Sequence, residues 1–206
     1  MTTLQSRLKT VVQKYSSILV CLFLIITTVI VYGQMLEHDF VYFDDQKYAA
    51  ENSHVKAGLT IEGLKWAFST LYAQFWHPLT WLSLMMDAQL FGAAPGGYLF
   101  TNLLLHIVNS LLLFIFFNRA TKSVWQSGLV AALFALHPIH VESVAWIAQR
   151  KDVLSGFFWM LTMLGYLFFV ERPGLKTYLA VLLSLICGLM AKPMLITLPF
   201  VLILLD

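Results

Sequence analysis

The sequence predicts an all-α fold, a polytopic integral membrane helical bundle with shorter helices lying in its external interface. Three observations carry that expectation. Of the 206 residues 59% are apolar, 15% aromatic and only 12% charged, against roughly 45–50% apolar and ~25% charged in soluble chains. The mean hydropathy is +0.77, so too few polar side chains remain to cover a surface facing water. The apolar residues also gather into runs of spanning length. A net charge of +2 shows no basic excess of the kind nucleic-acid binding requires, so no nucleic-acid partner is expected. Cys21 and Cys187 both sit inside apolar runs and read as small packing residues, neither a disulfide framework nor a metal site.

The first run, residues 17–35, covers about the ~30 Å hydrocarbon core at ~1.5 Å per residue. It follows Arg7, Lys9 and Lys14, and no small-x-small cleavage site closes it. It therefore reads as an uncleaved signal anchor with a cytoplasmic N-terminus. Residues 36–97 mix charges, histidines, Pro78 and the turn-forming Gly92-Ala93-Ala94-Pro95-Gly96-Gly97, and are expected to form a long external loop. Within it Ile61, Leu64, Phe68, Leu71 and Tyr72 recur at helical spacing, opposite Glu62, Lys65 and Ser69. That pattern predicts a helix lying in the membrane interface, ending before Pro78 and leaving His77 at the loop surface.

Further spans are predicted at 98–117, 124–136 and 153–170. The third is short and breaks at His137-Pro138, as a partly re-entrant segment would. Between the third and fourth, residues 137–152 form a second external loop. Its part after Pro138 has helical periodicity in Val141, Val144, Ala145 and Ala148, with His140 and the Arg150-Lys151 pair near its ends. Residues 178–190 and 194–205 are each too short for a full span and are parted by Ala191-Lys192-Pro193. They read as two short helices meeting externally or as one broken helix. A chain ending at Asp206 on an apolar run is expected to be the front piece, residues 1–206, of a longer transmembrane domain.

Charge sidedness supports this layout. The expected inner segments hold Arg7, Lys9, Lys14, Arg119, Lys122, Arg172 and Lys176, whereas Glu37, Asp39, Asp44, Asp45, Glu51, Glu62, Asp87, Glu142 and Asp152 all fall outside. All six histidines are likewise external or, for His106, inside the second span. The polar chemistry has one side. Asp44 and Asp45 are adjacent, and alternating side chains on an extended segment keep them from pointing the same way. One can face a reaction centre while the other orients a loop, although two solvated loop acids would fit the spacing equally. Asn102, His106 and Asn109 share one helix face and must meet protein or a water-filled cavity. His137, His140, Glu142, Arg150, Lys151 and Asp152 form the densest cluster, suited to lipid phosphates or to the phosphate of a substrate. Proline inside the His-x-x-His pair spoils helical ligand geometry for zinc through His137, His140 and Glu142, so no metal or other cofactor is expected.

The motifs occur in a telling order: Phe43-Asp44-Asp45, then Trp76-His77-Pro78-Leu79-Thr80, then the stretch from Leu90-Phe91-Gly92 to His106, then His137-Pro138-x-His140-x-Glu142 with Arg150-x-Asp152. In that order they resemble the transmembrane and tetratricopeptide repeat-containing protein O-mannosyltransferases and their bacterial relatives. These are similar to the wider GT-C class of membrane glycosyltransferases. The likeness runs from about Asp39 to the end. It departs from the animal members at His77, where they usually carry arginine, and at Pro193, where they carry an acid. No tetratricopeptide repeat is visible.

The resemblance implies transfer of mannose or another hexose from a polyprenyl-phosphate donor to a protein hydroxyl at the outer face, with inversion. Asp44 or Asp45 would be the base. Arg150, Lys151 and Lys192, with His137 and His140, would hold the donor phosphate, while Glu142, Asp152 and His77 would orient them. Partners would be the lipid-linked donor, a protein acceptor and membrane lipids. The setting would be a bacterial inner membrane, or the ER membrane in a eukaryote, and the 206 residues alone would be inactive. The competing reading is a non-catalytic scaffold binding lipid headgroups and partner proteins. A transporter would want midplane charges that the spans lack. Convergence of the acids and cations on one cavity would favour the enzyme.

Overall fold

The computed structural model describes the backbone of residues 3–205 and side chains from Tyr15 to Leu205. Arg7, Lys9, Lys14 and Asp206, on which the inner tail and the chain end were read, lie outside the described side chains. The described chain is 83% helical with no strand. Three segments are long and apolar enough to cross a membrane: Tyr15–Glu37, Pro95–Thr121 and Ile147–Glu171. The protein is an all-α membrane bundle.

Helix α1 (Thr3–Tyr32) runs on through a 3-10 turn, Gly33–Glu37. The segment that follows is folded, unlike the loop expected for residues 36–97. It contains a π turn (Gln46–Ala50), α2 (Ser53–Lys56), α3 (Ile61–Ser69), a 3-10 turn (Tyr72–Gln74) and α4 (Pro78–Phe91). Asn52 caps α2 by accepting from the amides of His54 and Val55, and Thr60 caps α3 by accepting from Gly63. Each satisfies a helix-end donor that would otherwise be orphaned. Ile61, Leu64 and Phe68 on α3 remain exposed, as an interfacial helix requires.

Helix α4 is what the periodicity missed. Asp87 is its only charged residue, and Thr80, Ser83 and Gln89 are too few among apolar neighbours to mark a solvent-facing side. Pro78 opens it with a pre-set φ, and Gly92 ends it at φ +65°, a conformation glycine adopts without strain. Trp81, Leu84 and Met85 are fully buried against Val55, Ala67, Tyr98, Leu99, Val144 and Ile147. This makes the core of a cap seated on the bundle.

Helix α5 (Pro95–Thr121) is the central span and packs on every neighbour. Close approach starts at Gly96, where a Cβ would fall on the carbonyl oxygen of Leu36. Helix α6 (Val124–Leu136) has the bounds expected of the third span, is shorter than the three crossing segments, and stops at His137, whose extended backbone suits a residue before proline. The periodic stretch after Pro138 is broken where one helix was expected. Helix α7 (His140–Ala145) ends at extended Trp146, a 3-10 turn (Ile147–Gln149) follows, and Arg150 opens α8 (Arg150–Glu171). Helix α9 (Leu175–Ala191) pairs closely with α8. After Lys192 come a 3-10 turn (Pro193–Thr197) and α10 (Leu198–Ile203). A second core joins α1, α5 and α6 through Leu24, Phe114 and Ala131. A third joins α5, α8 and α10 through Phe116, Leu164 and Leu198.

Candidate functional site

Asp44 and Asp45 stand in different surroundings. Asp45 is buried, its Oδ2 accepting from the Val41 amide at 2.9 Å and its Oδ1 from the Ala148 amide at 2.8 Å. It ties the first post-span loop to the turn before α8. Burial pushes its carboxyl above the usual carboxylate range, against the pull of those two amides. Asp44 is partly exposed, 3.8 Å from Lys47, and lines a cavity of about 210 Å³ with Tyr48, Gln74, Phe75 and Lys151. One wall holds Ala73 and Gln74 at φ +58° and +67°, two consecutive non-glycine residues in the left-handed region. Such strain persists only where the surroundings enforce it.

Phe75 and Lys151 also line a second cavity, of about 120 Å³, with His77 and Lys192. Lys192 and Met194 in turn border a third, of about 420 Å³, with His106, Asn109, Phe134, His140, Asp152, Trp159 and Met160. The three cavities adjoin through these shared walls, Asp44 at one end, two lysines between and a largely apolar chamber among α5, α6 and α8 at the other, and together they are termed the groove. Lys151 donates to the Ala148 carbonyl at 2.8 Å and lies 4.8 Å from the Tyr48 ring centre. Lys192 pairs with Asp152. His140 is half-buried, its ring 4.4 Å from Phe134 and 5.5 Å from His106. Burial, then the neighbouring His137, lowers its pKa.

The geometry corrects four expectations. Arg150 is not in the groove. It is 0% exposed, and its guanidinium donates to Asn102 Oδ1 at 2.5 Å, Ser83 Oγ at 2.7 Å and the Tyr98 carbonyl at 2.7 Å, with Asp87 Oδ2 at 2.6 Å. Four of its five N–H hydrogens face these partners, and full burial keeps the fifth from a phosphate. His137 is exposed outside the groove, its Nδ1 accepting from the Ile139 amide. Glu142 is exposed and accepts from Gln149 at 3.0 Å, so it does not orient the lysines by contact. His77 is 1% exposed rather than at the loop surface, because Tyr48, Trp81 and Phe75 surround it.

The polar stripe of α5 serves as interhelical bonding and, in part, as cavity wall. Asn102 donates to the carbonyls of Val144 and Trp146, Asn109 to that of Val153, and His106 Nε2 lies 2.9 Å from the Ala135 oxygen. Sequence reasoning missed the Asp87–Arg150 pair. Its signal was present: one acid inside a mostly apolar helix demands a cation. Among the described residues no three His, Cys, Asp or Glu side chains form a group that could hold a metal ion.

Fold and groove together define a helical membrane protein that places acids and lysines beside an apolar chamber. Comparison with known proteins narrows the class. The chain is 33% identical over 156 residues to protein O-mannosyl-transferase Tmtc2 of Drosophila melanogaster, covering 71% of this chain and 16% of that protein. It is 31% identical over 149 residues to human protein O-mannosyl-transferase TMTC1, covering 66% and 16%. Mouse protein O-mannosyl-transferase TMTC4 is 28% identical over 187 residues, covering 78% and 25%. Over that part of its length the chain is a relative of the TMTC protein O-mannosyl-transferase family, and it spans 16–25% of the length of these three relatives. No family model and no solved structure matches it.

Proposed function

We propose that this chain carries the catalytic face of a membrane glycosyltransferase. It would move a hexose, mannose being the sugar in its relatives' names, from a polyprenyl-phosphate donor to a protein hydroxyl on the outer face of a bacterial inner membrane or its ER equivalent. The observation that carries the reading is the order of the groove. An apolar chamber suits a prenyl chain, two lysines at its mouth suit a phosphate, and a carboxylate stands at the far end where an acceptor would enter.

In this scheme Asp44 takes the proton of the acceptor hydroxyl as that oxygen bonds the anomeric carbon. The bond from that carbon to the phosphate oxygen breaks with inversion, and its electron pair leaves on the phosphate. General-base help of this kind contributes roughly 10²–10⁴-fold. Lys151 and Lys192 face the leaving phosphate, where fixed cations near developing charge act most strongly. Asp152 orients Lys192, and Asp45 holds the loop that presents Asp44. Arg150 and Asp87 anchor the start of α8, from which Lys151 and Asp152 project.

The test is transfer itself. Full-length protein in nanodiscs is given a prenyl-phosphate hexose with a radiolabelled sugar and a Ser/Thr-containing acceptor protein. Label in the protein fraction, removed by β-elimination, is the expected result. No label with mannose, glucose or galactose donors would overturn the reading in favour of a scaffold.

A further inference from the structure

His77 has no task in the scheme above. Its ring is 1% exposed, lies near-parallel to Tyr48 at 5.7 Å, and is 4.8 Å from Trp81. Neither ring nitrogen has a hydrogen-bond partner among the described residues. An unpaired buried polar group costs stability, and this one lines the 120 Å³ cavity that Lys151 and Lys192 share. Aromatic packing fixes the ring beside the space where a ligand could satisfy it.

We infer that His77 contacts substrate directly, its N–H donating to the phosphate of a lipid-linked phosphodiester held between Lys151 and Lys192. The inference rests on the glycosyl-transfer reading for its choice of occupant.

Charge supports a phosphodiester. Lys151 and Lys192 supply two positive charges, and Asp152 pairs with Lys192; Asp44, one cavity further on, faces Lys47. Among the described residues Lys151 has no carboxylate within ion-pair distance, which leaves one cation open to the single negative charge of a phosphodiester. When the bond to the anomeric carbon breaks, the phosphate keeps the electron pair and becomes a monoester with a second negative charge. The cation set does not change in that step, so a further donor is needed where the charge grows. Burial, then Lys151, holds the His77 pKa at about 4, so at neutral pH the imidazole offers an N–H without adding a charge that would overbind the donor. A hydrogen bond that strengthens as charge develops favours the departing state over the ground state.

The test compares binding of two ligands by full-length protein in phosphatidylcholine nanodiscs: farnesyl phosphate, which resembles the departed monoester, and a farnesyl-phosphate hexose diester. His77→Phe keeps an aromatic ring between Tyr48 and Trp81 but removes both nitrogens. It should weaken monoester binding about 10- to 100-fold, as expected for one charge-assisted hydrogen bond, and diester binding several-fold less. His77→Asn, which restores an N–H, should recover part of the loss and serves as the second variant should the Phe form fold poorly. Unchanged monoester affinity in a folded His77→Phe protein overturns the proposal. Equally potent displacement by inorganic phosphate overturns the lipid-linked assignment. Monoester binding that depends on His77 in a protein that transfers no sugar would uphold this contact and remove the proposed reaction instead.

Discussion

Replacing Asp87 should do far more damage than its distance from the groove suggests. Asp87 and Arg150 are both 0% exposed, their charged atoms 2.6 Å apart. Arg150 has three further partners, Asn102, Ser83 and the Tyr98 carbonyl, all neutral. Asp87→Ala leaves the guanidinium charged and buried with nothing to balance it, a loss of about 3–5 kcal/mol. It also removes the acceptor that Thr101 Oγ1 reaches at 2.8 Å. Against a total stability of ~5–15 kcal/mol, that is a large fraction. Arg150→Met should cost similarly by stranding the carboxylate. The double variant Asp87→Ala/Arg150→Met leaves neither charge in an apolar surround and should regain most of the loss, a coupling of at least ~2 kcal/mol. Unfolding in mixed micelles with increasing SDS measures all four proteins. Single variants within ~1 kcal/mol of the parent, or a double variant no better than either single, would refute the assignment of the pair as the anchor of α8.

Asp45→Ala strands the Val41 and Ala148 amides and should destabilise by about 2–4 kcal/mol in the same assay, whereas Asp44→Ala should cost under ~0.5 kcal/mol; equal costs would contradict their division of labour. Gly96→Ala puts a methyl on the Leu36 carbonyl and should cost about 1–3 kcal/mol, while Gly33→Ala, with nothing within 4 Å, should stay within ~0.5 kcal/mol. Folding lowers the pKa of His77 from 6.5 to about 4 and lowers that of His140. At these two histidines the unfolded chain binds protons first as the solution is acidified, so their contribution is full above about pH 7 and falls from 6.5 toward 4, while Asp45, raised by burial, acts in the opposite sense. Between pH 7.5 and pH 5, His77→Phe should lose less stability on melting than the parent does; an equal or larger loss would have the sign reversed.

Elements whose signal is local were readable in advance. Residues 124–136 become α6 because an apolar run bounded by Ser123 and His137-Pro138 leaves little choice of ends. The stripe Asn102, His106, Asn109 announced a protein-facing edge on α5, and all three are buried. What escaped depends on partners distant in the chain. Helix α4 has no charged, solvent-facing side to set its period, and only the cap around Trp81 decides that it is helical and buried. Arg150 sits beside Lys151 in a basic-looking run, yet one faces the core and the other the groove because α8 begins between them and the turn before it. His77 precedes a proline, which suggested exposure; its burial follows from the π turn that brings Tyr48 over it. Pairing of Lys192 with Asp152 joins the extended residue after α9 to the first turn of α8, and no spacing rule within one helix reaches it.

The most direct measurement is the rate of hexose transfer by full-length protein carrying Asp44→Asn, set beside Asp45→Asn and the parent. With Asp44 as base, Asp44→Asn should lower the maximal rate by about 10²–10⁴-fold while leaving stability and farnesyl-phosphate binding near the parent values. Asp45→Asn should lose stability and retain a substantial rate in its folded fraction. Transfer at the parent rate by folded Asp44→Asn would contradict the account at its centre.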